Sequence, residues 1–230
     1  MVGLGLLSGT SKTKFSPNAD ITRGMLVTAL GRLEGIDVNS YNTNTFNDVK
    51  ADSAYRPYIE WAYSKGIIKG IGNEQFAPGR AITREEVAVI FVNYANIFGY
   101  TLPAIREAAA YADDSSIGSS YKDAVKAMQQ SGIMMGGTGN KFNPRSNATR
   151  AEISSMLHRF VKLTIDSATA QGWTLNDAGQ VLYYKDGILA AGKWLEIDSK
   201  WYYFYSDGSL AKNTTIEGHE IDQYGVRKEK

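Results

Sequence analysis

GIIKGIGNEQFAPGRAITRE, residues 66–85, carries a template that the chain writes three times without gaps: Gly, three residues, Gly, five residues, Phe, one residue, Pro, four residues, Thr-Arg. The copies are Gly5, Gly9, Phe15, Pro17, Thr22, Arg23; then Gly66, Gly70, Phe76, Pro78, Thr83, Arg84; then Gly132, Gly136, Phe142, Pro144, Thr149, Arg150. The three arginines lie 61 and then 66 residues apart. A period of this size marks one supersecondary unit that cannot bury its apolar face alone, so the copies are expected to pack on one another.

After each Thr-Arg the apolar residues follow helical spacing: Leu26, Ala29, Leu30, Leu33; Val87, Ile90, Phe91, Tyr94; Ile153, Met156, Leu157, Phe160. Thr83 with Glu86 and Thr149 with Glu152 fit a capping box, whereas the first copy has Met25 at the glutamate position. A second helix is expected before copies two and three. Pro57 suits its first turn in copy two, and Gly66 and Gly132 stand where a left-handed residue would stop it. Upstream again are Phe46 with Asp48, echoed by Tyr111 with Asp113 or Asp114, and a looser stretch from Gly99 to Ala110 joins copies two and three.

Near Thr164 the period changes from 3.6 to 2. Val181 and Tyr183 before Lys185-Asp186-Gly187, and Trp201 to Tyr205 before Ser206-Asp207-Gly208, read as hairpin strands. The expected fold is mainly α, with three helical repeats at about 1–40, 41–100 and 108–163, the first truncated. A small polar linker at 164–172 and a β-hairpin repeat region at 173–230 follow.

The 230 residues carry 25 basic and 24 acidic side chains with no long run of either sign, which leaves no electrostatic footprint for nucleic acid. No membrane span is expected. Without cysteine, thiolate metal sites and cysteine nucleophiles are excluded. His158 and His219 lie in different regions and offer no ligand spacing. Gly136 to Lys141 lacks the Ser or Thr that a phosphate loop needs after its lysine. No catalytic site, metal site or cofactor is expected.

ITRGM at 21–25, ITREE at 82–86 and ATRAE at 148–152 resemble the hallmark of S-layer homology repeats, over residues 3 to 163. The resemblance implies a compact helical pseudo-trimer that binds an acidic, pyruvylated secondary cell-wall polysaccharide and holds exported proteins on the cell surface. GKWLEIDSKWYYFYSDGSLA at 192–211 resembles aromatic choline-binding or glucan-binding cell-wall repeats, with choline or glucan as the implied partner. The chain begins inside repeat one, so it is expected to be a fragment whose export signal lay upstream.

Candidate glycan contacts are Arg23, Arg84, Arg150, Asp48, Asp113, Asp114, Trp61 and Lys69. Each arginine occupies a first helical position, where the macrodipole disfavours a cation, so each is expected to face an anion. That anion is either Asp48 or Asp113 of the neighbouring copy, or a ligand carboxylate. If grooves lie between copies, Arg23 meets the Phe46–Asp48 segment and Arg84 the Tyr111–Asp114 segment, while Arg150 would need the missing half of copy one; Arg84 is then the most complete site. Trp61 lines a groove or packs in the core. Trp173, Trp194, Trp201, Tyr202 and Tyr203 form a cage for a quaternary ammonium or a sugar, or pack as hairpin core. A non-catalytic wall anchor is the favoured function; the alternatives are the targeting tail of a wall hydrolase and a protein-association array.

Overall fold

In the computed structural model, residues 5–11, 13–165, 172–175 and 179–228 are described, and the expected linker at 164–172 lies largely outside them. Five helices carry the repeats: α1 (Arg23–Leu33), α2 (Arg56–Ser64), α3 (Arg84–Phe98), α4 (Lys122–Gln130) and α5 (Arg150–Phe160), the last running into a π-helical turn, Val161–Ile165. Close contacts gather the chain into two units interleaved in sequence. Unit one comprises Met1–Thr101, Ser115–Val125 and Asn143–His158; unit two comprises Leu102–Asp114, Lys126–Phe142 and Arg159–Lys230.

Unit one is closed by a ring. The residues just before α1, α3 and α5 pair as short antiparallel bridges, Thr22 with Ala81, Thr83 with Asn147, and Asp20 with Thr149. Ile82 N–H donates to the Ile21 carbonyl, Ala148 N–H to that of Ile82, and Ile21 N–H to that of Ala148, at 2.9–3.1 Å. Each copy thus donates once and accepts once around a pseudo-threefold axis, and Ile21, Ile82 and Ala148 are fully buried beside it.

The same ring satisfies the helix starts. The first four N–H groups of a helix have no partner inside it. At α1 the N–H groups of Arg23 and Gly24 donate to the carbonyls of Arg80 and Pro78; at α3 those of Arg84 and Glu85 donate to Ser146 and Pro144; at α5 those of Arg150 and Ala151 donate to Ala19 and Pro17. The third N–H goes to the capping threonine, from Met25 to Thr22, Glu86 to Thr83 and Glu152 to Thr149. Glu86 and Glu152 return a bond to the threonine N–H, completing the expected boxes, and α1 has only half of one.

The acceptors come from the Phe-x-Pro turn of the next copy, whose middle residue is left-handed each time: Ser16 at φ 52°, Ala77 at 59°, Asn143 at 55°. A non-glycine there costs about 1–2 kcal/mol. In copy two the strain is met by Asp48, whose carboxylate accepts from the N–H groups of Phe76 and Ala77 at 2.9 and 2.7 Å. The second template glycine is required by close approach. A Cβ on Gly70 would stand 2.8 Å from the Phe46 ring, and one on Gly136 2.8 Å from the Tyr111 ring.

In unit two the hairpins are β1 (Gly172–Leu175) with β2 (Val181–Lys185) and β3 (Ile188–Leu189), β4 (Lys193–Ile197) with β5 (Lys200–Phe204), and β6 (Thr214–Ile216) with β7 (His219–Ile221), all antiparallel. Alternation sends Leu195, Ile197, Tyr202 and Phe204 to a small core with Ala190 and Tyr183. It leaves Trp194, Glu196, Trp201 and Tyr203 on the other face.

Thr83→Ala and Thr149→Ala each break a full box and should lower unfolding free energy by about 1 kcal/mol. Thr22→Ala, with no returning glutamate to lose, should cost less. Denaturant midpoints of the three variants order the caps.

Candidate functional site

The seams between copies of unit one hold the repeated arginines. Arg23 is 5% exposed and its guanidinium lies 4.6 Å from the centre of the Phe76 ring. From there Nε donates to the Phe76 carbonyl at 2.9 Å, Nη2 to the Lys69 carbonyl at 3.1 Å, and Nη1 reaches Glu86 at 3.5 Å. Arg150, 3% exposed, repeats this on copy one: it stacks on Phe15 at 4.6 Å, Nε donates to the Phe15 carbonyl at 2.8 Å, and Nη2 donates to the Ser8 carbonyl. Arg84, 5% exposed, pairs through Nη1 with Glu152 at 2.7 Å. The side chain therefore escapes the positive end of its own helix by crossing to the next copy.

One expectation is corrected here. Asp48 forms no direct ion pair with Arg23 among the described residues: both its oxygens accept backbone N–H groups, and its charge acts on Arg23 more weakly than that of Glu86. The anion is Glu86, the capping glutamate of the next copy, and for Arg84 it is Glu152. The sequence assigned these glutamates only to capping. One carboxylate does both tasks, since Glu86 holds Thr83 N–H while facing Arg23 and Arg80.

This makes the third seam different. The residue that should face Arg150 is Met25, whose thioether lies 3.8 Å from Nη1. No ion pair with a carboxylate offsets the Arg150 guanidinium among the described residues. Beside it is a cavity of about 150 Å³ lined by Ser8, Thr10, Thr28, Arg32 and Tyr55 among others, and by no acid. The Thr28 hydroxyl is buried there without a partner among the described residues. Arg84, expected to be the most complete site, pairs its charge with Glu152 and so has less to offer an outside anion.

Other candidates scatter. Trp61 is 1% exposed and stacks on Phe98, so its ring is core rather than groove. Lys69 is exposed on unit one, its carbonyl taken by Arg23. In unit two Asp113 accepts from Phe142 N–H at 2.7 Å, as Asp48 does from Phe76, and Asp114 opens a short 3-10 turn.

The hairpin aromatics divide into two groups. Trp173 meets Tyr183 and Tyr202 edge-on at 4.9 Å each, with Phe204 behind. On the opposite face Trp194 packs edge-on with Tyr203 and His219. Arg227 sits over this face, its guanidinium 5.9 Å from Trp194 and 5.6 Å from Trp201, fixed by its own N–H to the Trp201 carbonyl at 2.8 Å. The aromatic surface already carries a cation.

Residues 1–24, 45–88 and 110–153 match the family model of the S-layer homology domain, and residues 192–210 that of a putative cell wall binding repeat. The chain carries S-layer homology repeats. An endoglucanase of Bacillus sp. (strain KSM-635) is 34% identical over 66% of this chain, and a surface-layer 125 kDa protein of Lysinibacillus sphaericus 24% identical over 87%. The chain spans only 16% and 18% of those relatives. Among solved structures, the choline binding domain of Spr1274 in Streptococcus pneumoniae is 31% identical over 26% of this chain and 72% of its own, at a TM-score of 0.24. S-layer homology repeats are cell-wall anchoring modules found in S-layer proteins and glycoside hydrolases, which places this chain at the cell surface or wall. No helix among the described residues is long and apolar enough to cross a membrane.

Burial raises the Glu86 carboxyl, but Arg80, the Thr83 N–H and Arg23 together outweigh it and hold the group below its usual range. The unfolded chain then takes up this proton first on acidification, so stability is full above about pH 4.3 and falls below it. Glu86→Gln should flatten that fall, measured as unfolding midpoint against pH.

Proposed function

We propose that the helical repeats, residues 1–163, hold their protein on the wall by binding an acidic secondary polysaccharide, with pyruvate ketals as the anion, chiefly at the seam between copies three and one. The observation that carries this is the Arg150 guanidinium, buried beside an acid-free cavity where Met25 replaces the glutamate of the other seams. Helix N-termini often hold anions, but here the leading N–H groups are bonded to backbone carbonyls, so recognition falls to the guanidinium. Arg32 adds a second cation and Ser8, Thr10 and Thr28 add hydroxyls suited to a sugar. Arg23, Arg84 and Lys69 serve as weaker secondary contacts. Residues 173–230 form an accessory wall-binding region.

No catalysis is assigned to this chain. The likeness to an endoglucanase supports the second reading, that the module targets a wall hydrolase or glycosidase, because the matched part is a small share of that protein.

Sedimentation with purified cell walls tests the anchor. Arg150→Ala should weaken binding roughly ten- to a hundredfold, the loss of one charge-assisted contact of ~1.5–3 kcal/mol. Met25→Glu should weaken it comparably by supplying the missing internal counter-ion, and Arg84→Ala should cost less. Mild acid removal of ketals from the walls should abolish the difference between parent and Arg150→Ala. Full binding of the parent to ketal-free walls would overturn the acidic-glycan assignment.

For the hairpin region, the Arg227 guanidinium occupies the place a quaternary ammonium would take over Trp194 and Trp201. Choline titration followed by tryptophan fluorescence should give little response in the parent and a saturable one in Arg227→Ala.

A further inference from the structure

Arg106 stands in the looser stretch joining copies two and three and has no template counterpart. Its segment is pinned within unit two: Ile105 N–H donates to the Gln130 carbonyl at 3.1 Å, and the Gln129 amide exchanges two bonds with Ala109 at 2.8 and 3.1 Å. The side chain is consequently held under cover, 7% exposed. Nη1 donates only to the Met135 thioether, a weak acceptor. Nε and Nη2 find no acceptor among the described residues, and neither does the buried Tyr184 hydroxyl nearby.

A guanidinium stays charged at any physiological pH, and burying it with no carboxylate bonded to it costs heavily; the nearby charge of Asp207 offsets only part of that. Arg106 lines a cavity of about 460 Å³, within the size range of small-ligand sites. Glu107 and Asp207 line it too, yet neither bonds the two free nitrogens. The Nε–Nη2 edge packs against two glycines: a Cβ on Gly132 would stand 3.3 Å from both Arg106 Nε and the Tyr184 hydroxyl, and one on Gly208 3.0 Å from Nη2. With only a thioether bonded to it, a rotation of the side chain would bring that edge to the cavity Arg106 lines.

We propose that this cavity is an anion site separate from the repeat seams, in which the Nε–Nη2 edge of Arg106 grips the carboxylate of an acidic sugar. The edge presents two parallel N–H donors, the geometry that a carboxylate matches. The two acidic residues in the lining select against a dianion such as phosphate, since a second negative charge meets repulsion at close range. Gly137, where a Cβ would meet only the Lys141 carbonyl at 4.0 Å, leaves part of the wall open to a sugar ring. The site does not rest on the seam assignment.

Titrating the full chain with D-glucuronate, D-glucose and inorganic phosphate, while observing the arginine Nε–H resonances by NMR and the heat by calorimetry, tests it. Glucuronate should shift the Arg106 Nε–H signal saturably, glucose should not, and phosphate should act more weakly. Arg106→Gln should remove the heat. Glu107→Gln, a change at an exposed position, should tighten glucuronate about two- to fivefold and serves if Arg106→Gln does not fold. Arg150→Ala should leave the titration unchanged even where it abolishes wall binding. No response to glucuronate, a stronger response to phosphate, or heat unaltered in Arg106→Gln would each overturn the proposal.

Discussion

The constraint on which unit one depends is that a helix starts with N–H groups it cannot satisfy itself. Here each start is completed from the copy that follows it. The Phe-x-Pro turn bends through a left-handed residue, and so aims its carbonyls at the first and second N–H groups of the preceding helix. In a lone copy these groups would bond water instead, so each cross-copy bond adds about 0.5–1.5 kcal/mol net. This pairing, together with burial of the apolar faces, binds the copies into a closed set of three. It also explains why the ring bridges sit directly beside the capping threonines.

The arginine follows from the same geometry. A lysine at the first helical position would offer one point charge and no plane, whereas the guanidinium stacks on the Phe ring and still reaches two carbonyls and a carboxylate. Structural and ligand roles are therefore not rivals at these positions. Two nitrogens serve the turn, and the third serves whatever anion stands opposite. In two seams that anion is internal. In the third, one substitution in the family pattern, Met25 for glutamate, leaves the place unfilled without disturbing the stack or the carbonyl bonds.

Much of this was legible in the chain. Period 3.6 after each Thr-Arg located α1, α3 and α5, the capping boxes located the first residues of α3 and α5, and Gly66 and Gly132 marked the ends of α2 and α4 with φ of 76° and 69°. The change to period 2 located β2 and β5, but β5 pairs back onto β4, and across the expected Ser206-Asp207-Gly208 turn runs only the single bridge of Phe204 with Leu210. What the chain did not disclose were the pairings across copies. The Asp of Phe-x-Asp looked like a counter-ion because it is acidic and repeated, but spacing within a copy carries no information on which backbone N–H groups it meets. Glu86 looked fully explained by its cap, so its second partner went unsought. Trp61 was ambiguous because helical spacing describes a buried stripe and a groove wall equally well. Met25 was visible as a broken capping box; its larger consequence emerged only once Arg150 was seen to face it.

The hairpin region shows the opposite balance, where composition suggested more than the arrangement delivers. Its aromatics are numerous, yet alternation along β5 sends Tyr202 inward and Tyr203 outward, so one run of residues contributes to two faces. On the outer face Arg227 supplies the positive charge to which electron-rich rings respond. Arg106, on a segment with no repeat and no aromatic signature, is the less conspicuous residue and the one with two guanidinium nitrogens left unbonded. Repetition in a sequence identifies what every copy needs for folding. Recognition specific to this chain is better sought where the repetition fails, at Met25 and in the joint that carries Arg106.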